Sequence, residues 1–531
     1  MSFPLTGWKM SQTQYIKISI IILLSCITIS LLMFFKTLDD FIPKHIAMMV
    51  DMVSSGRLTL GNEEIIRTPG FYLLGGLIVL ITGFPPESLI FLPIQLVPYL
   101  FVIFCLLYII SDNAIIASII TLLEFTSGIT GTRTLFFWPH GIGTILFLVI
   151  LILLLGFVKD KTKKEYIFLI MVTGASLVFL SYSLTAMSLI LLTIVAVLIA
   201  FVSLILSRFD WDYEYNVNTS KAILVALIVI SAVELGLTRF MYDVFIPTIQ
   251  TTQNIDVSAW EKFSISYLNP ELNSVILSPI MIHYPISITV ISAIKYGLLA
   301  LVIFGFCLFE GQKFLHNKRI EGVDIILISV VLMQLIYSIP RQMIGEVMVT
   351  ALWLPGILCL ARFSRISNRF RLFSKAVIIT LLILVFSYYG YFAFGGLIDR
   401  IDYEGDGYEE SNQWINENSN SAAIVSDELT NNFRILFNMK AEINDHSLDA
   451  HYNEVVKGSL LMSIPETAAL VKLQEGDIDK NRYYVLNNKL SRMSLQNWIV
   501  IRSWQLSNNI VSANNIVNKV YENSLISVYH P

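Results

Sequence analysis

The length of its uninterrupted apolar runs constrains this chain more than any other feature. A helix that crosses about 30 Å of hydrocarbon needs roughly twenty apolar residues, because it must satisfy every backbone polar group internally. Read by that rule, segments 16–35, 88–110, 114–131, 135–157, 166–181, 184–206, 221–240, 286–309, 324–340, 345–361 and 376–397 are spans. The predicted fold class is therefore a polytopic α-helical membrane protein with about 11 transmembrane helices. Composition agrees, since 55% hydrophobic and 14% charged residues, with a mean hydropathy of +0.68, leave too much apolar surface for a water-soluble chain. The first run leads into Lys36, Asp39 and Asp40 and not into a small-residue cleavage site, so it reads as a retained span and not a signal peptide.

Segment 71–82 is the exception. Only a dozen apolar residues lie between Arg67-Thr68-Pro69-Gly70 and Gly83-Phe84-Pro85-Pro86, a length that suits a re-entrant or interfacial helix. Leaving it out of the span count puts the strongest basic loops on the same side as the N-terminus: Lys159 to Lys164, Lys313 to Arg319, and Arg362 to Lys375. Positive charge collects on the cytoplasmic side, so the N-terminus reads as cytoplasmic and the cell membrane as the location. Loops 36–87 and 241–285 and the tail then lie outside. The boundaries are a transmembrane module over 1–398 and a soluble extracytoplasmic domain over 399–531.

The tail reads as a small α/β domain. Ala422 to Ser426, Tyr483 to Leu486 and Leu525 to Tyr529 are strand candidates, Asp427 opens a helix through Leu436, and Ala513 to Tyr521 is helical in pattern. It carries 18 acidic and 11 basic residues, and with a net charge of -4 overall nothing points to nucleic acid. All four cysteines, Cys26, Cys105, Cys307 and Cys359, sit inside apolar runs and have no metal-ligand spacing. No metal and no cofactor is predicted.

The first outer segment holds the densest candidate chemistry. Asp39 and Asp40 stand at the end of a span and precede a short helix with apolar spacing Ile46, Met49, Val50, Val53, which turns at Ser54-Ser55-Gly56. Carboxylates at a membrane surface lose solvation and become better proton acceptors near neutral pH, although paired acids also simply end a span in water. Charges inside the spans are costly and so informative: Asp112, Glu124, Arg133, Glu234, Arg239, Asp324 and Glu346, with Glu310 and Arg341 near the surfaces. Arg133 and Arg341 share the outer face, where guanidinium forks suit a phosphate or pyrophosphate and equally suit a structural salt bridge or lipid head groups.

Asp39-Asp40-Phe41-Ile42-Pro43-Lys44-His45 with Gly56-Arg57-Leu58, and Arg67-Thr68-Pro69-Gly70-Phe71-Tyr72, resemble the acidic start and proline-aromatic entry of the first outer loop in the GT-C superfamily of integral membrane glycosyltransferases. The resemblance is to members of the protein-mannosyltransferase and aminoarabinose-transferase kind, particularly archaeal and bacterial ones. Ser181-Tyr182-Ser183 stands where many members have a histidine-containing turn, and Pro340-Arg341 where they often have an outer arginine. The resemblance implies a GT-C-like fold and an inverting hexosyl or pentosyl transfer. It further implies that a polyprenyl-phosphate-linked donor gives its sugar to a lipid, glycan or protein acceptor on the extracytoplasmic face. It implies Asp39 or Asp40 as general base, Arg341 with Arg133 on the lipid phosphate, and His45, Arg67, Tyr72 and Tyr182 as substrate-binding residues.

Two rivals come from other classes. A secondary transporter or lipid flippase requires Asp112, Glu124, Glu234 and Asp324 to line one continuous path. A non-catalytic membrane protein requires an outer tail that binds a partner.

Overall fold

The computed structural model describes residues 12–34, 42–56, 68–126, 137–160, 164–208, 217–239, 286–316, 320–338, 344–366, 368–394, 405–418, 423–426, 482–487, 518–523 and 526–530. Each predicted apolar segment contains a helix. They are α1 Gln12–Phe34, α4 Leu96–Ser111, α5 Ala114–Thr126, α6 Pro139–Lys159, α7 Glu165–Leu180, α8 Tyr182–Arg208, α9 Val217–Leu237, α10 Ile286–Leu315, α11 Gly322–Ser338, α12 Ile344–Ile366 and α13 Asn368–Phe394. Two shorter helices, α2 Ile42–Ser55 and α3 Pro69–Thr82, lie within segment 36–87. Among the described residues five stretches are long and apolar enough to cross a membrane: Thr13–Leu31, Pro139–Lys159, Tyr182–Leu204, Asn218–Leu237 and Ile294–Leu315. Large apolar side chains remain exposed on them, including Ile21, Phe201, Ile228 and Phe304. An outward apolar surface of this kind requires lipid around it, and the chain is a helical membrane protein.

Segment 88–110 is not one helix. Pro86–Phe91 forms a 3₁₀ turn and α4 starts only at Leu96. Leu92, which precedes Pro93, is extended at φ -104 and ψ 110, because a proline ring disfavours the helical conformation in the residue before it.

The apolar stretches of α4, α5, α7 and α11 are short, and so is the α3 helix. Fourteen residues rise about 21 Å at 1.5 Å each, too little for a hydrocarbon core. It stops at Gly83, whose φ of 68 is left-handed and whose N–H caps the Val79 carbonyl. One face, Phe71, Tyr72, Gly75, Gly76 and Val79, is buried, while Leu73, Leu77, Leu80 and Ile81 point outward. The buried glycines let α2 approach: a Cβ on Gly75 would lie 2.5 Å from the Met49 sulfur, and one on Gly76 2.2 Å from Met52 Cε. Helix α2 is buried on all sides from His45 to Asp51, a deeper setting than its one-sided apolar spacing predicts.

Helices α6 and α7 run antiparallel. Gly143 near the start of α6 meets Ser181 just past the end of α7, and Gly156 near the end of α6 meets Tyr166 near the start of α7. Helices α8, α9 and α11 continue this layer, while α4 bridges it to α12, which packs with α5, α10 and α13.

In the tail, helix α14 Gly405–Asn418 accompanies a sheet of β1 Ala423–Ser426, β2 Arg482–Asn487, β3 Asn518–Glu522 and β4 Ile526–His530. Strand order is β1-β2-β4-β3, with β1 and β2 parallel and the other pairs antiparallel. Ala513 to Tyr521 therefore does not continue as a helix, because Val520 and Tyr521 favour a strand once β4 lies alongside. Trp414 of α14 stacks on Tyr521 with ring centroids 5.0 Å apart. The 241–285 loop and the helix expected after Asp427 lie outside the described residues.

Candidate functional site

Where α2, α3, α6, α7 and α8 converge, the structure assembles a polar aromatic cluster from residues far apart in sequence. Pro139 occupies the first turn of α6 without losing a hydrogen bond, since it lacks the N–H that a helix start leaves unpaired. That start fixes Trp138 in extended backbone immediately before α6. The Trp138 carbonyl accepts hydrogen bonds from Gly141 N at 3.0 Å, Ile142 N at 3.3 Å and the buried Gln95 side chain at 3.3 Å. On α3, Pro69 plays the same part as Pro139, and Gly70 brings this helix against α7, since a Cβ there would lie 2.9 Å from Phe179 Cβ.

His45 of α2 lies between two of these elements. Its Nδ1 is 2.7 Å from the Tyr72 hydroxyl, and its Nε2 accepts the Trp138 indole N–H at 3.2 Å. Phe71 meets the His45 ring edge-on at 5.7 Å and packs on Phe137 at 4.8 Å. On the other side of Trp138, His140 stands edge-on at 4.8 Å and in turn meets the Tyr182 ring at 5.2 Å. His140 Nδ1 is also 2.7 Å from Ser181 Oγ. His45, Tyr72 and Ser181 are buried, whereas Trp138, His140 and Tyr182 are half-buried and form the open side of the cluster.

Three predicted substrate-binding residues thus come together, His45 and Tyr72 by direct hydrogen bond and Tyr182 through His140 and Trp138. A histidine does stand against Tyr182, but α6 supplies it. Asp39, Asp40, Arg67, Arg133 and Arg341 lie outside the described residues. In sequence Asp40 stands two residues before α2, and Arg67 one residue before Thr68. Trp138 and His140 were not singled out from the sequence, and Ser181 entered there only as the neighbour of Tyr182. The signal available was a tryptophan and a histidine flanking the proline of a helix start.

A second polar group is buried nearby. Glu124 of α5 accepts the Tyr99 hydroxyl at 2.7 Å and the Trp353 indole N–H, so it ties α4, α5 and α12 together. Lys295 of α10, absent from the predicted set of embedded charges, lies 5.2 Å over the Trp353 ring and within electrostatic reach of Glu124. At the opposite end of the bundle, Arg362 binds Asp324 through Nε at 2.7 Å and Glu321 through Nη2 at 2.9 Å, and Lys313 bridges Asp324 and Glu310. Asp112 caps α4 in a left-handed conformation, 4.0 Å from Arg365, and Glu234 accepts from Thr238 at 3.4 Å. The four embedded acids proposed for a transport path therefore sit on four different helices, each with its own partner. Among the described residues no group of three or more His, Cys, Asp or Glu side chains is placed to hold a metal ion.

No family model matches the sequence, and no curated protein sequence matches it significantly. Among solved structures, the chain is similar to the oligosaccharyltransferase of Archaeoglobus fulgidus in two forms. One is tethered with an acceptor peptide containing the NVT sequon, at 12% identity and a TM-score of 0.44 over 91% of this chain and 70% of that one. The other is the apo form, with the same identity and TM-score over 91% and 71%. A TM-score below 0.5 at that identity does not establish a common fold, and the likeness fixes no activity for this chain.

Proposed function

We propose that the chain is a membrane glycosyltransferase that moves a hexose or pentose from a polyprenyl-phosphate carrier to a lipid, glycan or protein acceptor on the extracytoplasmic face. The observation that carries this reading is the cluster of His45, Tyr72, Trp138, His140, Ser181 and Tyr182 at the bundle end opposite Lys159 and Lys164. Aromatic faces offer apolar contact to a sugar ring, while imidazole and hydroxyl groups offer hydrogen bonds to its oxygens. In this mechanism Asp39 or Asp40 takes the proton from the acceptor hydroxyl as its oxygen attacks the anomeric carbon. The bond from that carbon to the phosphate oxygen breaks, and polyprenyl phosphate leaves. Attack on the face opposite the leaving group inverts the anomeric centre. Arg341 and Arg133 hold the departing phosphate and stabilise the charge that develops on it.

The separate partners of Asp112, Glu124, Glu234 and Asp324 favour this reading over transport, which needs those acids on one aqueous path. The test is transfer of radiolabelled sugar from a polyprenyl-phosphate-linked donor by the purified protein in nanodiscs. The Asp39→Asn/Asp40→Asn double variant is expected to insert and purify normally and to lose transfer, and retained turnover in it would move catalysis elsewhere.

A further inference from the structure

The ion network that joins α10, α11 and α12 has more acids than bases. Among the described residues it contains three carboxylates, Glu310, Glu321 and Asp324, and two cations, Lys313 and Arg362. Glu310 and Asp324 are 2% and 0% exposed, and a surplus charge in such a setting is costly. One proton on one carboxyl makes the group neutral, and the hydrogen bonds decide which carboxyl keeps it. Asp324 accepts from Lys313 at 3.0 Å and from Arg362 Nε and Nη2 at 2.7 and 3.1 Å, three charge-assisted bonds that suit a carboxylate. Glu321 is half exposed and has water. Glu310 has one donor, Lys313, at 2.7 Å from Oε1, while its Oε2 is enclosed and has no hydrogen-bond partner among the described residues. An enclosed oxygen without a donor costs far more in a charged carboxylate than in a neutral carboxyl group.

The charged and titratable groups within reach of Glu310 are Lys313 and Cys307 on its own helix, Asp324 on α11, and Arg362 and Cys359 on α12. From α13 the Phe370 ring closes on Phe309 at 4.9 Å, and Arg371 turns to the Ser364 carbonyl at 3.3 Å. Both cations near Glu310 are thus already shared with Asp324. We propose that Glu310 is a proton-binding site: it holds one proton while the ends of α10, α11 and α12 are docked. Losing that proton to water sets a second buried negative charge beside Asp324 and loosens α10 from α11 and α12. The basic loops Lys313 to Arg319 and Arg362 to Lys375 gather at this end, which the positive-charge rule places in the cytoplasm, so the clasp answers to cytoplasmic pH. None of this depends on the reaction performed at the outer end.

Infrared spectroscopy of the full chain in nanodiscs tests the proton directly. Wild type at neutral pH is expected to show a protonated-carboxyl C=O band that shifts on ¹³C labelling of the glutamate carboxyls and is lost in Glu310→Gln. If Glu310→Gln removes no such band, or the band it removes ignores the glutamate label, the proposal is overturned. A native state that keeps this proton, set against an unfolded chain that has released it, loses stability as pH rises. The unfolding constant of wild type should therefore climb roughly tenfold more per pH unit than that of Glu310→Gln, until Glu310 ionises in the native state. Parallel curves for the two proteins overturn the proposal as well. The docking is read from Cys359, which is fully buried on α12, in a background that keeps it as the single cysteine. Its labelling by a thiol reagent should gain roughly tenfold more per pH unit in wild type than in Glu310→Gln, and the thiol's own ionisation enters both proteins. Equal gains show that α10 stays docked when the proton leaves, and overturn the clasp.

Discussion

Replacing Arg362 by Met tests the ion network that joins α10, α11 and α12. The Arg362 side chain is 3% exposed and Asp324 is fully buried, and two hydrogen bonds of 2.7 and 3.1 Å link them. Removing one member of a buried pair costs about 3–5 kcal/mol, because the other charge stays in a low-dielectric setting. Asp324 would keep Lys313 at 3.0 Å, which places the expected cost near the lower end, about 3 kcal/mol. Glu321 is the internal control: it touches the same guanidinium at 2.9 Å but is 51% exposed. Glu321→Gln should therefore cost only about 0–1 kcal/mol. The double variant Arg362→Met/Asp324→Leu removes both buried charges and leaves Lys313 paired with Glu310. It should recover most of the single-variant loss, since apolar replacement of a buried pair is often neutral. Reversible unfolding in mixed micelles, followed by tryptophan fluorescence, of wild type, Arg362→Met, Asp324→Leu and the double variant gives the four free energies of a double-mutant cycle. If Arg362→Met costs no more than Glu321→Gln, or the two single effects add in the double variant, the buried-pair reasoning is wrong.

Gly143→Ala should destabilise by about 1–3 kcal/mol, because its Cβ would lie 2.5 Å from the Ser181 Cβ, an atom anchored to backbone. Gly56→Ala meets nothing within 4 Å but has a φ of 63, so only the left-handed strain of about 1–2 kcal/mol should appear in the same unfolding experiment. Glu124→Gln turns one acceptor oxygen into a donor facing the Tyr99 hydroxyl or the Trp353 indole. A loss of about 1–3 kcal/mol is expected, and unchanged unfolding would mean that this group is not a tie between helices. In a cysteine-free background, Lys159→Cys should react with an impermeant maleimide only from the cytoplasmic side and Ser54→Cys only from the outside. The opposite pattern would reverse the proposed orientation and the face of action.

Helices were legible where the cause was local. An apolar run long enough to cross lipid has few alternatives to a helix, and Pro69 marks a start that the structure keeps, whereas α6 begins at Pro139 and not at 135 as its apolar run suggests. The exceptions are also local causes in competition. Pro93 interrupts a run whose hydropathy alone reads as continuous, and pairing with β4 overrides the helical pattern over Asn518 to Tyr521. Lys295 stands well inside the 286–309 run and belonged with the embedded charges. Its surroundings, Trp353 and Glu124, come from two other helices.

The sequence by itself determined that the chain is a helical membrane protein and where its apolar helices lie, because hydrophobic length and proline positions act on neighbouring residues. Only the tertiary structure decided that His45, Trp138 and Tyr72 form one hydrogen-bonded chain and that His140, Ser181 and Tyr182 adjoin it. Trp138 and His45 are 93 residues apart, and nothing in either stretch specifies the other. They meet because Gly75 and Gly76 admit α2 against α3, while Gly70 and Gly143 seat α3 and α6 on α7. Small residues whose value lies in the space they leave become readable only once the neighbouring helix occupies that space.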